Sequence, residues 1–159
     1  MLERDGYATH EQISSRFPKV ELLVKPKAVI ECYENIPCNP CSTSCPFNAI
    51  TIGKDINNIP QVDYDKCTGC GICVHSCPGL AIMVCEVLAD KVRFKIPYEF
   101  LPRPIENEVW QAVNRKGDVI GEALIEKVSL NNRQDRTALV QVLVNKEFIY
   151  EFVTIRRES

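Results

Sequence analysis

Apolar residues in this chain recur mostly at intervals of two, in short runs broken by polar turns. Lys27-Ala-Val-Ile-Glu31, Ala49-Ile-Thr-Ile52 and Ala81-Ile-Met-Val84 each predict a short strand. Gly53 to Asn58 make a polar turn, and Pro60-Gln-Val-Asp63 returns as the second arm of a hairpin. From Lys91 the alternation becomes regular. Val92, Phe94 and Ile96 alternate with charged residues, and Val109–Val113 and Val119–Ile125 flank the turn Asn114-Arg-Lys-Gly117. Leu139–Val144 is a further strand after the polar loop Asn131–Arg136. Lys146–Ile155 fits two periods: Phe148, Ile149, Phe152 and Val153 suit a helix face, while its β-branched residues favour a strand. One helix is predicted near the N-terminus, from His10 to about Arg16. Thr9 and Gln12 form its capping box and Pro18 stops it.

The pattern divides the chain in three. Residues 1–26 are a leader with a short helix, residues 27–90 hold every cysteine, and residues 91–159 form a small, mostly-β domain. That last part reads as a β-barrel or sandwich separate from the cysteine region, reached through the rigid connector Pro97–Pro104. The expected class is α+β.

Composition narrows the chemistry. Nine cysteines among 159 residues is a high count. The start, Met1-Leu2-Glu3-Arg4-Asp5, is no apolar signal segment, and no apolar run approaches the roughly 20 residues that span a bilayer. A cytoplasmic location is therefore expected, where clustered thiols bind metal or do redox work rather than form disulfides. A net charge of −2 makes no electrostatic case for nucleic acid.

The cysteines repeat at an offset of 32 residues: Cys38, Cys41 and Cys45-Pro46 match Cys70, Cys73 and Cys77-Pro78. The second copy is complete, C-x2-C-x2-C-x3-C-P from Cys67 to Pro78. This is the bacterial-type iron–sulfur ligation run, in which the fourth cysteine serves the other cluster. Two such runs predict two cubane clusters and a protein that moves electrons. In the first copy Asn35 stands where Cys67 would match, and the nearest upstream cysteine is Cys32. Gly69 and Gly71 flank Cys70, where they would let backbone N–H groups approach cluster sulfides. Zinc is the bland alternative, but a zinc ribbon needs two C-x2-C pairs and would leave half this pattern unused.

The segment DKCTGCGICVHSCPGLAI, Asp65 to Ile82, resembles the cluster-binding segment of bacterial two-cluster ferredoxins, and CNPCSTSCPFNAI, Cys38 to Ile50, is similar to the other half. The resemblance covers residues from about 27 to 88. It implies a two-cluster ferredoxin domain over residues 27–90, with pseudo-twofold repeats of strands and a short helix, holding two [4Fe-4S] clusters. By it, Cys67, Cys70, Cys73 and Cys45 bind one cluster. Cys38, Cys41 and Cys77 bind the other with one further ligand. Cys32 is the choice for that ligand, giving C-x5-C-x2-C-x3-C. The alternatives are Cys85, an oxygen of Asn35, or a three-iron cluster that lacks the ligand. Cys85 otherwise reads as a small buried hydrophobe on its strand.

His75 is expected as an exposed loop residue, and Tyr33, Phe47 and Tyr64 as packing near the clusters. Trp110 is either core or an interface anchor. No nucleophile–base pair or phosphate-cradling loop stands outside the cysteines, so no catalytic site is predicted. The extra β domain favours a subunit of a larger enzyme over a diffusible carrier. IPCNPCSTSCP, preceded by Val29-Ile-Glu-Cys32 and followed by IPYEFLP, is also similar to small ferredoxin subunits of multi-subunit FAD-dependent dehydrogenases of the amine, proline, opine and sarcosine-oxidase-like group. That implies a flavoprotein partner in a hetero-oligomer. Two clusters would take the net charge to about −6, which suits a basic or neutral docking surface on the partner.

Overall fold

A computed structural model describes residues 6–130, 134 and 137–158. The expected helix α1 runs His10–Arg16. Its capping box forms as predicted, with Thr9 Oγ1 accepting from the Gln12 N–H and Gln12 Oε1 from the Thr9 N–H. A 3₁₀ turn at Val20–Val24 follows and drives Leu23 completely into the core. The leader is thereby stitched to the rest of the chain by a buried side chain.

Strand β1 (Lys27–Ile30) leads to the short helix α2 (Pro40–Ser44) and the hairpin β2 (Ile50–Thr51) and β3 (Gln61–Val62). A second short helix, α3 (Ile72–Ser76), precedes β4 (Ile82–Val87) and β5 (Lys91–Tyr98). Then come β6 (Val109–Asn114), β7 (Val119–Ser129), β8 (Ala138–Asn145) and β9 (Phe152–Arg156). The region of two periods resolves into a 3₁₀ turn at Lys146–Phe148 followed by β9. The expected loop Asn131–Arg136 lies, Gln134 apart, outside the described residues.

All strands but the β2–β3 hairpin join one antiparallel sheet in the order β1-β4-β5-β8-β7-β6-β9. The sheet crosses the expected boundary between residues 90 and 91 without a break, because β4 and β5 pair as a hairpin from Val84↔Lys95 to Val87↔Val92. A β module detached from the cysteine region is therefore not what forms: the two regions share one sheet. The connector is also shorter than expected. Pro97 and Tyr98 belong to β5, opposite Leu139 and Ala138. The β4 ladder has ended at Lys95, so a residue without an N–H meets an unpaired side there.

The sheet curls on itself. Phe94 on β5 meets Phe152 on β9, four places away in the sheet, with ring centroids 4.7 Å apart. Tyr98 meets Trp110 edge-on at 5.7 Å. The concave face buries Val92, Phe94, Ile96, Val140, Val142 and Phe152 completely. Trp110 is part of this core. β1 and β4 are buried on both faces, which explains why their sequences read as nearly unbroken apolar runs. Val29, Met83 and Cys85 face the curled core, whereas Ala28, Ile30, Ile82 and Val84 face a second core built with cysteines.

Candidate metal centre

Helices α2 and α3 each present one buried cysteine, Cys41 and Cys73. Pro40 opens α2, where its missing N–H breaks no helical bond. Both helices stop at a cysteine followed by proline, which forces Cys45 and Cys77 into extended backbone. The two Cys-Pro steps have similar local geometry. Cys45 Sγ accepts from the Ala49 N–H at 3.4 Å, and Cys77 Sγ from the Ala81 N–H at 3.5 Å. Asn48 and Leu80 both adopt positive φ, 54° and 53°.

Two cavities result. Cys45, Cys67, Cys70 and Cys73 line the first, with Ala28, Phe47, Ile50 and Val84 among its walls. Cys32, Cys38, Cys41 and Cys77 line the second, with Ile30, Ile36 and Ile82. Each group takes three thiols from one copy of the repeat or its upstream loop and one from the other copy. Cys45 crosses to the first cavity and Cys77 to the second. Cys85 lies in neither. It is fully buried on the opposite face of β4, in step with Met83, and burial holds its thiol far above the usual range. Asn35 lines neither cavity and is exposed.

The donor set suits a polynuclear iron–sulfur cluster. All eight donors are soft thiols in apolar walls. Backbone N–H groups already point at sulfur on Cys45, Cys77 and Cys67, the last from Ala28 at 3.3 Å. Among the described residues no three His, Cys, Asp or Glu side chains close to the spacing of a single metal ion.

Burial and mutual repulsion work against bare thiolates. Burial first, then the neighbouring Cys67, Cys70 and Cys45, push Cys73 up to about 12. Cys41 is pushed up to about 11, again by burial first, with the Ser42 N–H opposing and Cys77, Cys38 and Cys32 adding. Cys32 is raised by burial and then by Cys77 and Cys38. A cationic core bound by Cys73, Cys41 and Cys32 would offset that cost and let them bind as thiolates.

The loop around Cys67 is held by residues the sequence did not single out. Lys27 Nζ donates to the carbonyls of Tyr64 at 2.5 Å and Cys67 at 2.7 Å, and Lys95 Nζ to that of Gly69 at 2.9 Å. Gly69 and Gly71 have positive φ and pack against Pro26 and Leu139, respectively. These glycines thus admit neighbouring strands against the loop. Lysine on a strand carries no periodic signal for such a contact; its reach across 26 to 40 residues of sequence exists only in the fold.

His75 differs from its expected place. It sits on α3, half-buried, with Nδ1 enclosed and lacking a hydrogen-bond partner, and burial lowers its pKa. Tyr33 is pushed up to about 12 by burial and then by Glu31. Phe47 belongs to the first cavity's wall, and Tyr64 offers the carbonyl that Lys27 grips.

Residues 36–81 match the family model of the 4Fe-4S dicluster domain. The chain is similar to one of the subunits of the Na(+)-translocating ferredoxin:NAD(+) oxidoreductase complex of Acetobacterium woodii, 55% identical over 24% of this chain and 11% of that protein. It is 43% identical to the ferredoxin-type protein NapF of Haemophilus influenzae, over 30% of this chain and 28% of that one. With one of the subunits of the selenate reductase of Mesobacillus selenatarsenatis it shares 34% identity over 43% and 21% of the two chains. The chain thus spans less than a third of the length of each of these relatives. No solved structure matches it. Among the described residues no helix is long and apolar enough to cross a membrane. Residues 36–81, with seven of the nine cysteines, are thus a 4Fe-4S dicluster domain, which indicates two 4Fe-4S clusters.

Proposed function

We propose that this chain is the iron–sulfur subunit of a multi-subunit oxidoreductase and carries electrons between a catalytic partner and an acceptor. The observation that carries this reading is the pair of separate four-thiol cavities. One cluster takes Cys45, Cys67, Cys70 and Cys73, and the other takes Cys32, Cys38, Cys41 and Cys77. Each bound cluster accepts and releases one electron at a time. The protein excludes water with apolar walls and directs N–H groups at the ligand sulfurs. Cys32 lies upstream of the matched segment, which begins at residue 36. Its reading as the eighth ligand rests on its place in the second cavity and on Cys85 facing the other way.

Two of the relatives are named as subunits of oxidoreductases, which supports a hetero-oligomer. None of the three is named as a flavin-dependent amine dehydrogenase. The flavoprotein partner rests on the local likeness of IPCNPCSTSCP with the flanking Val29–Cys32 and IPYEFLP segments. Anaerobic purification from the native host tests the assembly. A complex with a larger catalytic chain, containing about eight irons and eight sulfides per copy of this one, is the expected result. Elution as a lone chain of 18.0 kDa with both clusters favours a diffusible carrier. Zinc without sulfide refutes electron transfer.

A further inference from the structure

We propose that Arg115, on the turn between β6 and β7, is the positioning residue that aims Cys32 at the second cavity, so that the C-terminal strands complete that site. The inference rests on the reading of Cys32 as eighth ligand.

The problem it solves is local. Cys67 is three residues from Cys70, inside a tight loop. Its N–H donates to the Asp63 carbonyl, and Lys27 grips its own carbonyl. Cys32 is six residues from Cys38, and no helix or strand lies between them. Its thiol has only a weak 3.9 Å contact, to the Glu34 carbonyl. The enlarged loop cannot hold this cysteine from within.

Glu31, the residue before it, is held from without. Its N–H donates to the Ala81 carbonyl at 2.7 Å, extending the β1–β4 ladder by one step. Its carboxylate receives the Arg115 guanidinium at both oxygens, Nη2 to Oε1 and Nε to Oε2. Arg115 Nη1 donates to the carbonyls of Tyr150 and Glu151, where the chain enters β9. The two side chains are only 10% and 15% exposed. A planar fork bonded on both edges has little freedom to rotate.

Strand geometry converts this grip into aim. Successive residues of extended chain face opposite sides. Ile30 faces the cysteine core, and Glu31 is turned to Arg115. Cys32 therefore faces the cavity again. With the Glu31 carboxylate released, only its N–H bond to Ala81 and the packing of Cys32 on the edge of the cysteine core are left to orient that cysteine.

Arg115→Gln in the full chain tests this, read by iron content of the anaerobically isolated protein and by electron paramagnetic resonance after one-electron oxidation with ferricyanide, with wild type treated alike. The expected result is loss of about one iron per chain and a three-iron signal, as Cys32→Ala also gives. The double variant Cys32→Ala/Arg115→Gln should match Cys32→Ala alone. Arg115→Lys, which keeps the charge without the fork, should fall between Arg115→Gln and wild type. Arg93→Gln breaks a comparable ion pair, with Glu86 and Glu126 elsewhere in the sheet, and should leave both cubanes intact. Glu31→Gln leaves the Arg115 bonds to Tyr150 and Glu151 in place and should reproduce the iron loss if Arg115→Gln fails to fold. Full iron content in Arg115→Gln, or equal loss in Arg93→Gln, overturns the proposal. If Cys32→Ala keeps both cubanes while Arg115→Gln folds, the ligand reading itself fails and the clamp falls with it.

Discussion

Gly69→Ala should disable the loop that carries Cys67 and Cys70, by an amount that the structure divides into two parts. Gly69 has φ +72°, where an L side chain is strained by about 1–2 kcal/mol. A Cβ there would also stand 2.5 Å from Pro26 Cβ and 2.6 Å from the Pro26 carbonyl oxygen. Those atoms belong to a proline at the foot of β1 and cannot rotate aside. Forcing them apart adds overpacking of about 1–3 kcal/mol. The sum, about 2–5 kcal/mol, changes the folded-to-unfolded ratio roughly 30- to 5,000-fold. It also moves the loop away from Lys27 and from the Ala28 N–H bonded to Cys67 Sγ. Gly117 has a similar φ, +88°, with nothing within 4 Å, so Gly117→Ala isolates the strain at about 1–2 kcal/mol. Gly79 has open space and no positive φ, so Gly79→Ala should cost nothing. Anaerobic urea melts with iron counts on the three variants give the comparison. Gly69→Ala should be the least stable of the three and lose iron from one cluster. If it melts with Gly117→Ala and keeps all its iron, the contact with Pro26 does not hold the loop and the reasoning fails.

Lys27→Gln removes a positive charge beside the Cys67 group while leaving an amide to donate to the loop carbonyls. A unit charge within roughly 15 Å at an effective dielectric of about 20 contributes about 1 kcal/mol, or about 40 mV for one electron. The potential of that one cluster should fall, because its reduced form is the more negative; a redox titration in which neither signal moves would reject the effect. Cys85 should resist alkylation in the native protein and react after unfolding, since burial keeps its thiol protonated. Its folded pKa lies above the ordinary thiol value of 9.0, so its contribution to stability is complete below about pH 9 and is lost as pH rises through the folded value. Urea midpoints taken between pH 8 and 10 should slope downward more in wild type than in Cys85→Ala, and equal slopes would refute the assignment.

The cysteine chemistry was legible because ligation demands residue types at short spacings. Cys67, Cys70, Cys73 and Cys77-Pro78 declare a tight loop, and the repeat 32 residues earlier declares its twin. Local signals worked equally well at Thr9 and Gln12, which cap α1, and at Gly117, which turns β6 into β7. Alternation at Val92, Phe94 and Ile96 identified β5, since a half-buried strand writes its period into sequence. The pattern carried no record of which strands pair across long gaps. The division at residue 90 looked like a domain boundary because cysteines stop there, yet β4 and β5 pair across it. Likewise, the sidedness of Cys85 follows from strand parity once β4 is known to be buried on both faces. Lys27, Lys95 and Arg115 looked like ordinary surface charge. Their partners lie 26 to 84 residues away, and only the curl of the sheet brings them together. The sequence by itself determined the cysteine spacing that marks a 4Fe-4S domain and most local elements, because those depend on neighbours within a few residues. The tertiary structure decided what anchors the ligand loops, because that depends on side chains whose reach spans the fold.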